Sequence, residues 1–155
     1  MVGSRGVPRS DEVIGRWFAE ARRGLSGRRL ERVRSAEADL RACLEANAPQ
    51  LLTATERALL TLERQFDDRG AAARVAEAGV VLLVLPVFLE EPRWFGEDVE
   101  DRRVRIRLAE PLAYSVARAP GLRAASLGPA VWTVEATVEH AIWMLRMERA
   151  ALRHG

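Results

Sequence analysis

The chain has 155 residues, 48% hydrophobic and 30% charged, which suits one globular domain that can bury a core without staples. The single cysteine, Cys43, excludes an internal disulfide and any cysteine-based metal cage. The formal net charge is +2, and all 24 basic residues are arginine, which holds its charge at any pH and grips carboxylate or phosphate in bidentate fashion.

The lack of lysine fits a GC-rich coding bias, as do 25 alanines against one asparagine and three isoleucines. Avoidance of modification at lysine is the functional alternative. Charge is unevenly spread: residues 1–34 are basic, 35–140 acidic and 141–155 basic again. A basic N-terminal stretch suits an acidic partner, nucleic acid or protein, or the acidic middle of the same chain or of a second copy.

Residues 1–9 contain Gly3, Gly6 and Pro8 and read as a flexible arm ahead of a single helical domain over 10–155. The arm has no apolar leader run, which together with the lone cysteine predicts a cytoplasmic protein. Ser10 is placed to cap a helix, with Asp11 and Glu12 favourable in its first turn and Val13, Ile14, Trp17, Phe18 and Ala21 as its apolar face. A second helix is predicted over 28–47, with Leu30, Val33, Leu40 and Leu44 as its stripe and Cys43 as a small core residue rather than a nucleophile. Arg22, Arg23, Arg28, Arg29 and Arg32 surround the corner between these two helices and are the candidate nucleic-acid-binding residues.

"NAPQ" breaks the pattern, and Thr53 with Glu56 then makes a capping box opening a helix with Leu59, Leu60, Leu62 and Phe66. Gly70 suits its C-terminal cap. This region has the outline of a helix-turn-helix, but "VVLLVLPVFL" follows the turn glycine Gly79, and a recognition helix needs polar side chains to reach bases. The uncharged run that contains it, 78–89, is too short for a membrane span of roughly 20 residues and is interrupted by Pro86, so no membrane partner is expected.

Residues 80–85 read either as the end of a buried helix from Ala71 or as a strand, and the β-branched residues favour a strand. Pro92 and Gly96 bracket a turn that returns Trp94 and Phe95 to the core. "RVRIRL" alternates with period two, so residues 103–108 read as a strand. Val104, Ile106 and Leu108 then enter the core, and Arg103, Arg105 and Arg107 face solvent as an edge or a phosphate ridge. The fold class expected is mainly α: a bundle of four to six helices, allowing one two-stranded element at 80–85 and 103–108. "EPLAYSVARAPG" adds a short helix with a proline near its start. "LRAASLGP" is a loop that delivers Pro129 to the first turn of a last helix.

That last helix has two apolar faces. At 100° steps Val131, Val134, Val138, Ala141, Ile142, Leu145 and Leu152 gather on one side, and Trp132, Ala136, His140, Trp143, Met144 and Met147 on the other. A surface helix of a monomer shows one such face, so this helix is either central or meets another chain. Trp132, His140, Trp143 and Met147 are the candidate interface residues, and a homodimer is the expected assembly. His140 has no ligand-type neighbour at metal-binding spacing, so no metal or cofactor is expected.

"RAALRH" carries Arg149 and His154 with four residues between them, and resembles the Arg-x4-His signature of HEPN-type ribonucleases. Ala150 stands where that family carries a polar residue. The resemblance implies a dimeric α-helical bundle in which His154 acts as acid or base and Arg149 steadies phosphate charge. No other catalytic motif stands out, which argues against an enzyme. The reading is a helical interaction or regulatory protein that self-associates and meets an unidentified protein partner. Nucleic-acid binding and a HEPN-like ribonuclease are the alternatives.

Overall fold

The computed structural model describes residues 6–122 and 124–155. Among them the chain forms α1 (Ser10–Arg22), α2 (Gly27–Asn47), a 3₁₀ turn (Ala48–Leu51), α3 (Ala54–Phe66), α4 (Ala71–Val75), α5 (Gly79–Glu90), α6 (Pro92–Phe95), α7 (Val99–Ala117) and α8 (Ala124–His154). The helical class is as expected, and the helix number exceeds four to six because α4 and α6 are single turns.

The predicted β element is absent among the described residues; residues 80–85 lie in α5 and 103–108 in α7. The β-branched run of α5 is overridden by its position. Val80, Val81, Leu82, Val84, Leu85, Phe88 and Leu89 are all buried, and the helix packs against α8, α7, α2, α6 and α1. A helix satisfies its own backbone in such a place, whereas a strand needs a partner strand. Residues 103–108 are drawn into a helix by Asp98, whose carboxylate accepts the backbone N–H of Asp101 at 2.8 Å, with Glu100 and Asp101 in the first turn.

Two prolines predicted to open helices lie inside them instead. Pro111 is within α7 and Pro129 within α8. An internal proline costs about 3 kcal/mol. In α7 the residues on either side of it, Ile106, Ala109, Leu112, Ala113 and Val116, are buried. Each large aliphatic among them returns roughly 1.5–3 kcal/mol, so burial carries the helix through.

The capping box at Thr53 forms as predicted, with Glu56 N–H donating to Thr53 Oγ1 at 3.2 Å and Thr53 N–H to Glu56 Oε1 at 3.1 Å. Gly70 does not end α3; it precedes α4 with φ +67°, a left-handed joint suited to glycine. Ser10 does not cap α1 by its side chain. Arg9 holds the N-cap position, and the buried Ser10 hydroxyl donates to the carbonyl of Glu77 at 2.8 Å. Of the expected arm, residues 1–5 lie outside the described residues. Pro8 accepts the N–H of Ala78 at 2.9 Å, and Arg9 donates to the Val75 carbonyl at 3.0 Å.

Candidate functional site: the outer face of the last helix

α8 lies across α5 and α7 and buries one face against them: Val134, Val138 and Ala141 are buried, and Val131, Ile142 and Leu145 pack partly against the core. Leu152, grouped with them by periodicity, is exposed, because the last turns run past the body. The other face is bare. Trp132 is 70% exposed, Trp143 54% and Met147 50%, with Met144 and His140 exposed beside them. The His140 and Trp143 rings stack with centroids 6.1 Å apart. The four candidate interface residues therefore share one surface, and α8 is not a central helix.

Between residues 132 and 154 this stripe carries neither arginine nor carboxylate. The span from residue 132 to residue 154 extends about 33 Å along the helix. Monomers rarely leave so much contiguous apolar surface, and tryptophan and methionine are enriched where interfaces close. Beside Met144 and His140 lies a groove of about 310 Å³, lined also by Leu89, Pro92, Phe95 and Arg102. At the other end Tyr114 donates to Glu135 at 2.6 Å, and that hydrogen bond pushes its phenol pKa up.

The five arginines proposed for nucleic acid do not form one free patch. Arg22 pairs with Glu37, Arg23 with Glu20 at 3.1 Å, and Arg32 with Asp98 and Asp101 at 2.9 and 2.7 Å. The Asp98 carboxyl is held below its usual range, first by the Asp101 backbone N–H and then by Arg32. Arg28 and Arg29 stay exposed. They share with Arg107 the rim of a groove of about 520 Å³ floored by Ala21, Leu25, Val33, Val104 and Leu108.

The row of three arginines on α7 is split by the helix. Arg107 is exposed, Arg103 pairs with Glu100 at 2.7 Å, and Arg105, predicted to face solvent, is only 1% exposed. Two residues turn a helix by 200°, so Arg105 points opposite to its neighbours in the row. It reaches Asp39 of α2 and lies near the ring of Phe88, while its Nε and Nη1 have no hydrogen-bond partner. A side chain at Gly96 would put its Cβ 2.6 Å from Arg105 Nη1, so the glycine, at φ +105°, clears the space. The sequence signal for this was the helical stripe 106, 109, 112 and 116, hidden by treating Pro111 as a helix start.

Cys43 is buried, and burial pushes its thiol up to about 12, so it is inert as a nucleophile at neutral pH. Arg149 and His154 are both exposed on α8, and a five-residue step sets them about 140° apart around the axis, on different sides of the helix. Among the described residues no group of three or more His, Cys, Asp or Glu is placed to hold a metal ion, and no helix is long and apolar enough to cross a membrane. No protein-family model, curated protein or solved structure matches the chain.

Proposed function

We propose that the protein is a cytoplasmic helical interaction or regulatory protein that self-associates through the outer face of α8. One observation carries this reading: Trp132, Trp143, Met144 and Met147, set on a helix whose opposite face is already packed, are exposed to water. Burying a tryptophan and a methionine side chain from each copy returns several kcal/mol, at roughly 25 cal/mol per Å² of apolar area, before the cost of association.

Sedimentation equilibrium at micromolar concentration tests it. The wild type is expected above monomer mass, and Trp143→Asp is expected at monomer mass with its helical circular dichroism and melting cooperativity intact. Phe66→Asp is the control. Phe66 is 88% exposed and forms a second, smaller bare patch with Leu59 and Leu62 on α3. A monomeric wild type, or dissociation by Phe66→Asp and not by Trp143→Asp, overturns the reading.

A second reading, contact with a polyanion, draws on Arg28, Arg29 and Arg107 around one groove. Binding of labelled duplex that weakens steeply with salt supports it. No band shift at low salt removes it.

A further inference from the structure

We propose that two copies pair antiparallel through α8, with Glu139 of each copy meeting Arg146 of the other. The inference rests on the self-association proposed above and adds direction and register to it.

The argument comes from the edges of the stripe. At 100° per residue Ala136, His140, Trp143, Met147, Ala150 and His154 run down its middle at alternating steps of three and four. One edge carries Glu139, Arg146 and Arg153, with Glu135 and Arg149 just behind it. The other edge carries Thr133, Met144 and Ala151, with Glu148 behind it already paired with Arg102 of the same chain. The charged edge is also polar along its length, acidic in its first half and basic in its second. None of the ion pairs among the described residues uses Glu139, Arg146, Arg149 or Arg153.

Pairing geometry then decides between the two directions. In a parallel pair each edge faces the opposite edge of its partner, so the charged edge would lie against Thr133, Met144 and Ala151 with nothing to match it. In an antiparallel pair each edge faces its own counterpart run backwards. The acidic half then lies against the basic half, and the neutral edge, with Met144, lies against itself. When the two-fold axis passes near residues 141–143, Glu139 meets Arg146 of the second copy twice by symmetry. In the middle layer Trp143 lies against His140 of the second copy, and Ala136 against Met147, a small residue opposite a large one.

Charge reversal in the full chain is the test, again by sedimentation equilibrium. Glu139→Arg sets arginine against arginine at two symmetric points, and Arg146→Glu sets glutamate against glutamate. Each single variant should weaken the dimer at least tenfold, and the double variant Glu139→Arg/Arg146→Glu should return to within about threefold of wild type. Both residues are exposed, so neither change should disturb the monomer fold. A wild type that dimerises while the single variants dimerise equally well, or a double variant that stays weak, overturns the register and leaves self-association standing. A monomeric wild type overturns both.

Direction has its own readout. A nitroxide attached at Thr133→Cys should lie about 25 Å along the axis from its copy in the antiparallel pair, given a rise of 1.5 Å per residue. A separation under about 15 Å, as side-by-side parallel helices give, overturns the inference.

Discussion

α7 and α8 pack against each other and break opposite rules. α7 carries a guanidinium inside the protein, and α8 carries two tryptophans outside it. In both cases the neighbours, rather than the residue type, decide the outcome. Arg105 is tolerated inside because α2 brings Asp39 and Ser35 to it and because Gly96 has no side chain in its way. Trp132 and Trp143 stay outside because α8 has already spent its other face on α5 and α7. A buried charge is stable only with its partner present, whereas a bare tryptophan is a surface still lacking one.

The largest expected effect tests the α7 half of this contrast. Arg105→Ala removes a long side chain from a closed site and should cost about 3 kcal/mol in urea unfolding, mainly through lost packing. Asp39 keeps 38% of its side chain exposed and can rehydrate, which places the cost at the lower end of the range for broken buried pairs. Arg105→Met fills much of the same volume without charge and should fall within about 1 kcal/mol of wild type, because buried ion pairs are often matched by apolar replacements. A methionine variant as damaged as the alanine variant would show that the charge pair, not the packing, holds α7 in place.

A middle-sized effect is expected on the inner face of α8. Val134 is fully buried, and Val134→Ala should cost about 2 kcal/mol from two lost methyl groups and the cavity they leave. The smallest belongs to the outer face. Trp132→Ala should change monomer stability by no more than about 0.5 kcal/mol when unfolding is followed in dilute solution. The loss should grow as concentration rises into the range where copies associate, because assembly adds to apparent stability by mass action. A cost that is large and independent of concentration would mean that Trp132 packs within its own chain, and the contrast between the two helices would collapse.

These same helices show what could be read from the sequence. The two faces of α8 were legible because the periodic signal persists over many turns, and the Thr53 box was legible because a cap is a local hydrogen-bond pattern. α7 was not. "RVRIRL" is too short to tell period two from period 3.6, and Pro111 cut away the turns that would have decided. The burial of Arg105 depends on Asp39, 66 residues earlier in the chain, so no local pattern announces it. The strand expected at residues 80–85 failed for a related reason: β-branched composition is a weak preference, and a central position surrounded by helices outweighs it. At the α1–α2 corner the arginines were visible, but their carboxylate partners were not, since Arg32 finds Asp98 and Asp101 only once α7 is folded against α2.

The link between residues 8–10 and 75–78 bears on the order in which the chain assembles. Most helix-forming contacts here are local and can close within microseconds, but Arg9 and Ser10 reach partners 66 and 67 residues away. Closing so long a loop has an entropy cost that is repaid only when α4 and the start of α5 already present their carbonyls. α1 therefore docks in two steps: on α2, its neighbour in sequence, through the Asp11–Arg41 and Arg22–Glu37 pairs, and on α4 and the start of α5 only later. On a ribosome, α1 emerges before α4 and holds only α2 until Val75–Ala78 follows.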